Sequence, residues 1–215
     1  MITAVQEMLP ETAQAPGWNP FQSWYVVQVQ TGHEDEVVER CKSILRPECE
    51  EDVFSLKREK EIRRRGEWKT VEQAAFPGYV FFITTDIAGL LRGLRTVPLF
   101  TRLLRYDREI TPLREEEARL FDKMGGEQRL LKISIGYKDG DDVGVLIGPL
   151  AMVVGKIIRQ NRHNRVAQVE ITMCGEPKRI WLGLKELRTR TEAQALIWRL
   201  EREEETTRRK ASHLL

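Results

Sequence analysis

The sequence predicts an α+β fold in two modules, a ferredoxin-like split βαβ half followed by a small β-barrel. Two observations carry this. The turn Phe76-Pro77-Gly78 opens directly into the apolar run Tyr79-Val80-Phe81-Phe82, which reads as a buried strand in a half where strands alternate with helical stripes. Beyond Gly126 the helical period disappears, and Gly140 to Leu150 alternates, breaks at Gly148-Pro149 and resumes toward Ile158.

Each element has a local reason. Residues 1–20 contain Pro10, Pro16 and Pro20 without an apolar period and are expected to be a flexible lead-in. Trp24 to Gln30 mixes aromatic and β-branched residues as strands do. From His33 to Leu45, Val37, Val38, Cys41, Ile44 and Leu45 form a one-sided stripe, so a helix is expected there, with Pro47 just past its end. Val53 to Arg58 reads as a strand, and Arg63-Arg64-Arg65-Gly66-Glu67-Trp68 as a hairpin or loop tip with a basic rim. Asp86 can cap a helix carrying Ile87, Leu90, Leu91 and Leu94. Pro98 stops that helix and Leu99 to Leu104 returns to strand; Pro112 then begins a last helix that Gly125-Gly126 ends.

The second half predicts strands at Val143–Ile147, Val153–Ile158, Val166–Ile171 and Arg179–Leu182, divided by turns at Gly148-Pro149, Asn161 to Asn164 and Cys174 to Pro177. The expected layout is therefore a lead-in (1–20), a first module (21–125), a linker (126–132), a barrel (133–190) and a charged C-terminal helix or tail (191–215).

Charge separates the modules. The net charge of +2 conceals about −3 over residues 1–125 and about +5 over 126–190, the balance expected when a basic module meets a polyanion. No apolar run reaches the ~18–20 residues needed to cross a bilayer. The N-terminus also lacks the basic-then-apolar order of a secretory signal. Cys41, Cys49 and Cys174 are odd in number and lack C-x-x-C spacing, which disfavours a disulfide framework or a zinc site and suggests a reducing cytoplasm.

The residues give little support for catalysis, and no cofactor or metal is expected. Gly148 to Lys156 resembles a phosphate loop only loosely, with six residues between the glycines where a P-loop has four, and with Ile157 where Ser or Thr would bind magnesium. His33, His163 and His213 are scattered outside any ligand or nucleophile signature.

Two constellations suggest binding instead. On a strand, Tyr79 and Phe81 share one face and Val80 and Phe82 the other; helices over one face would bury one row, leaving the second as core or as an apolar docking patch. Lys156, Arg159, Arg162, His163 and Arg165 fall within ten positions free of acidic residues, around a turn bracketed by Asn161 and Asn164. Such a tip can contact phosphates and reach base edges, or simply be solvated.

Trp24-Tyr25-Val26-Val27, the helix after it and Phe76-Pro77-Gly78-Tyr79-Val80-Phe81 resemble the N-terminal (NGN) domain of the NusG family. Asp139-Gly140-Asp141-x-Val143-x-Val145-x-x-Gly148-Pro149-Leu150, closed by Gly155-Lys156-Ile157-Ile158, resembles a KOW motif, with Val154 where many such motifs are acidic. The stretch Lys132 to Gly140 is similar to the barrel entry of LoaP-type specialised paralogs.

The resemblance implies an SH3-like KOW barrel whose turn uses Gly148, Pro149 and Gly155. It implies a non-enzymatic, monomeric transcription elongation and antitermination factor that suppresses pausing and termination. Tyr25, Phe54, Phe76, Tyr79 and Phe81 would dock on the clamp helices of the largest RNA polymerase subunit. A structured leader RNA hairpin would meet Lys156, Arg159, Arg162, His163, Asn164, Arg165, Lys178 and Arg179. Alternatives are a general member coupling polymerase to Rho or the ribosome, and a KOW-type ribosome- or RNA-binding protein without polymerase contact.

Overall fold

The computed structural model describes residues 23–42, 52–97, 100–104, 110–140 and 142–212. The expected lead-in, the helix end at Ile44, Leu45 and Pro47, and Cys49, Leu99, Asp141 and His213 lie outside them.

The first module is built on a four-stranded antiparallel sheet in the order β2-β5-β1-β6, formed by β1 (Ser23–Val29), β2 (Asp52–Phe54), β5 (Tyr79–Thr84) and β6 (Phe100–Leu103). This is the split βαβ arrangement predicted from sequence. Helices α1 (Glu34–Cys41) and α2 (Ile87–Leu94) bury Val37, Val38, Cys41, Leu90 and Leu94 with Tyr25, Val27, Val53, Val80 and Phe82. The Asp86 carboxylate accepts from Gly89 N at 2.8 Å, which supplies the expected cap.

Between β2 and β5 a long hairpin leaves the sheet, made of β3 (Lys57–Arg64) and β4 (Glu67–Ala74). Arg65 and Gly66 turn it with φ of 52° and 86°. The turn into β5 is fixed by a carboxylate: buried Glu34 accepts from Gly32 N and, at 2.5 Å, from Gly78 N. Gly78 has φ of 83°, and a Cβ there would lie 2.9 Å from Thr31 Oγ1, so a larger residue at this junction is strained.

The opposite face of the main sheet is closed as well. Helix α3 (Glu115–Gly125) contributes Ala118, Phe121 and Met124 to a cluster with Trp24, Phe54, Phe76 and Phe81. Phe54 and Phe81 stack at 5.6 Å, and Phe121 meets Phe76 and Phe81 edge-on at 5.3 and 5.7 Å. Both side-chain rows of β5 are therefore buried, except for Tyr79 at the strand's start.

The barrel has the strand order β10-β11-β12-β8-β9, from β8 (Ser134–Asp139), β9 (Asp142–Ile147), β10 (Ile157–Asn161), β11 (Val166–Met173) and β12 (Glu176–Leu187). All its pairings are antiparallel except β8 with β12. A strand was expected from Val153, but Pro149–Lys156 is a 3-10 segment, and only Ile157 onward is extended. Pro149, just inside its start, favours that turn over the β-branched preference of Val153 and Val154. Ser134 Oγ accepts from Leu150 N at 3.0 Å and pins the segment to the barrel.

Three features tie the halves together. Leu130–Leu131, within the expected linker, forms β7 and pairs parallel with Lys57 and Arg58 of β3. Strand β12 lies against β3 so closely that a Cβ on Gly183 would sit 2.6 Å from the Glu59 carbonyl oxygen. One apolar cluster runs from Trp24 and Phe81 through Met124 and Leu131 to Leu150, Val169 and Leu182 of the barrel. The C-terminal helix α4 (Arg190–Ser212) belongs to the barrel at its start, where Ala193 and Ile197 bury against Ile135.

Candidate functional site

The five aromatics proposed for docking fall into two groups. Tyr25 pairs in register with Phe82 and faces α1 and α2, on the far side of the sheet from the others. Burial raises the pKa of its phenol. Phe54, Phe76 and Phe81 are buried in the cluster with α3, Phe81 completely. Arg129 adds its guanidinium to that cluster, 4.3 Å from the Phe54 ring and 5.2 Å from Trp24, while bonding Asp122 at 2.7 Å. The apolar patch that the alternation of Tyr79 and Phe81 allowed is thus covered in this arrangement.

Tyr79 alone of the five remains partly exposed. It lines a crevice of about 310 Å³ with Arg102, Leu103, Leu104, Cys174, Glu176 and Lys178. Lys178 Nζ lies 5.7 Å from the Tyr79 ring and 2.7 Å from Glu176, and the Glu176 carboxylate holds the Lys178 pKa above its ordinary value. Glu117 of α3 strengthens the same seam: one oxygen accepts from Arg114 N and the other from Gly175 N at 3.1 Å. Sequence reasoning missed Glu117, whose capping position was visible but whose second partner lies 58 residues away.

The basic candidates also divide. The turn 162–165 joins β10 to β11, with Asn161 Oδ1 accepting from Asn164 N at 3.0 Å, as the bracketing asparagines predicted. Arg162, His163 and Asn164 are exposed there. Lys178 and Arg179 lie near the opposite end of β12, beside the turn at Cys174-Gly175, so they do not join that tip. Arg179 is bonded to Glu170 at 3.1 Å.

The tip is not a free brush of charge. Arg165 Nη1 donates to Glu61 at 2.6 Å, and its guanidinium lies 3.7 Å from the Trp68 ring centre, so it joins the barrel tip to the β3–β4 hairpin. Arg162 Nε lies 3.3 Å from Glu186. Arg159 donates to Gln168 at 3.0 Å and lies 4.9 Å from the Trp181 ring centre. Lys156 is exposed where the 3-10 segment ends, next to Gly155, while Gly148 and Pro149, the other residues expected at a KOW turn, lie at its start.

Between the two hairpins runs a groove of about 620 Å³. Arg58, Lys60, Arg63 and Trp68 line it from one side, and Asn161, His163, Asn164 and Trp181 from the other. The interleaving of cations with aromatic and amide side chains suits nucleic acid better than an apolar ligand. Among the described residues, no group of three or more His, Cys, Asp or Glu could hold a metal ion. No helix of the described residues is long and apolar enough to cross a membrane.

Residues 22–122 match the family model described as NusG, transcription termination factor nusG. The transcription termination/antitermination protein NusG of Helicobacter pylori is 23% identical over 159 residues, covering 71% of this chain and 89% of its own. Its counterpart in Thermus thermophilus is 24% identical over 188 residues, covering 76% and 96%. A solved structure on domain interaction in Thermotoga maritima NusG is 22% identical with a TM-score of 0.43, covering 75% and 93%. Residues 22–122 thus carry the domain that the NusG family model describes, and over 71–76% of its length the chain is similar to NusG termination/antitermination proteins.

Proposed function

We propose that this chain is a specialised, LoaP-like elongation and antitermination factor that joins RNA polymerase through its first module and is recruited by a structured leader RNA bound at the barrel. The observation that carries this reading is the exposed tip Arg162-His163-Asn164, continuous with the basic groove beside it. Phosphate contacts there would supply affinity, and the asparagine amides and tryptophan rings would supply discrimination.

In this reading polymerase is met by the row that includes Phe54, Phe76, Tyr79 and Phe81. Phe81 is fully buried, so the row becomes available only after the barrel and α3 move away from it. The closed arrangement is then the unengaged form, with Tyr79 at its rim. Tyr25 faces the helices and supports the sheet rather than touching the partner.

The experiment is transcription by purified polymerase on templates carrying the leader of a neighbouring long operon ahead of a terminator. The expected result is readthrough that depends on both the protein and the leader. Readthrough that is the same with a scrambled leader would favour a general member of the family. No retention on polymerase at all would favour an RNA- or ribosome-binding protein.

A further inference from the structure

We infer that the groove between the β3–β4 hairpin and the β10–β11 tip is a composite pocket for an unstacked nucleotide of a single-stranded RNA loop, built from both modules. The inference rests on the RNA reading above and gives it a location that the barrel alone does not provide.

The first argument is an orphan donor. Arg58 lines the groove, and its Nη1 is buried without a hydrogen-bond partner among the described residues. Burial also lowers the pKa of its guanidinium. A buried charged donor without an acceptor is unfavourable, and a turn of the Arg58 side chain toward a phosphate or a base carbonyl in the groove would satisfy it. Glu61, the carboxylate among the lining residues, is held by Arg165 and leaves Arg58, Lys60 and Arg63 uncompensated by it.

The second argument is the pair of indoles. Trp68 and Trp181 line opposite sides, and each carries an arginine against its ring, Arg165 at 3.7 Å and Arg159 at 4.9 Å. Trp68 remains 37% exposed, so part of its surface is open to a base. Stacked bases inside a duplex cannot reach such rings, whereas a splayed loop nucleotide can. The volume, about 620 Å³, falls within the ~300–1,000 Å³ typical of small-ligand sites. An acidic peptide could use the cations but would leave the two indoles and the Asn161 and Asn164 amides without a matching partner.

Fluorescence polarisation with the full chain tests this, using labelled oligouridylate, oligoadenylate and a blunt RNA duplex as probes, and polyglutamate as competitor. Arg58→Gln should weaken single-strand binding by about tenfold to a hundredfold while the duplex, held by phosphates at the tip, changes little. Trp68→Ala should weaken it too, with Trp68→Phe restoring most of the loss. Arg58→Gln is the cleaner variant because Trp68 also supports Arg165; its urea midpoint is checked against the parent chain. Unchanged single-strand binding in Arg58→Gln, with binding lost in Arg162→Ala, would overturn the pocket and leave the RNA reading standing. Failure of every RNA probe to bind the parent chain would overturn both. Polyglutamate displacing the single strand at equal or lower charge concentration would assign the groove to an acidic protein segment and overturn the proposal.

Discussion

Arg165 lies 3.7 Å from the centre of the Trp68 ring, and through this contact the last turn of a barrel hairpin rests on the hairpin of the first module. The same guanidinium bonds Glu61 at 2.6 Å, with the two side chains 32% and 12% exposed. Arg165→Ala and Trp68→Ala should each cost about 1–2 kcal/mol, a value that allows for partial solvent screening. A double-mutant cycle by urea denaturation should show them coupled. Additive losses would mean that the ring and the cation contribute separately.

The β5 aromatics should behave differently from one another. Phe81 is completely buried against Trp24, Phe54, Phe76 and Phe121, so Phe81→Ala should destabilise the chain by about 3–5 kcal/mol. Tyr79 is partly exposed, and Tyr79→Ala should cost about 1 kcal/mol, within the ordinary range for single substitutions. Urea midpoints read both. Tyr79→Ala is therefore the variant suited to a polymerase-binding test, because a loss there cannot be attributed to unfolding.

Truncation should reveal how much of α4 the barrel requires. Ending the chain at Arg190 removes Ala193 and Ile197 from their contact with Ile135 and should cost about 2–4 kcal/mol. Ending it at Leu200 keeps that contact and should leave the melting temperature nearly unchanged. Equal effects of the two truncations would place the stabilising contact farther along the helix.

The buried thiols predict a pH dependence. Burial pushes Cys41 up to about 11, and burial together with the Glu117 and Glu176 charges pushes Cys174 up to about 12. In the unfolded chain both ionise near ~8.5. Between those values the native state keeps protons that the unfolded state has released, so stability falls as pH rises from the ordinary thiol range toward 11. Urea midpoints at successive pH values should decline over this window, and less steeply in Cys41→Ala/Cys174→Ala.

Much of the first module was legible because its signals are local. Asp86 before the Ile87, Leu90, Leu94 stripe specified α2 and its cap, and Pro77-Gly78 specified the start of β5. The Asn161–Asn164 turn was equally plain. What the sequence hid depended on distance along the chain. Alternation showed that Tyr79 and Phe81 share a face, but not that α3 and the barrel would cover that face. Arg165 looked like one of several tip cations because its partners, Glu61 and Trp68, lie about a hundred residues earlier. The run Val153 to Ile158 read as strand throughout because its β-branched residues outweighed Pro149 in a local reading, although Val153 to Lys156 belong to the 3-10 segment.

The parallel pairing of β8 with β12 sets an order of events during synthesis. Ser134 finds Leu184 as its partner and Tyr137 finds Leu187, so the barrel cannot close until about fifty residues after β8 has left the ribosome. Until then β8 and β9 must wait as an isolated hairpin, marginal in water without further strands. The aromatic face of the first module meanwhile stands without its final cover, although its strands and α3 have already been made. For that interval the aromatic cluster lacks the barrel residues Leu150, Val169 and Leu182 that complete it, and the rate of translation through residues 140–187 sets how long the interval lasts.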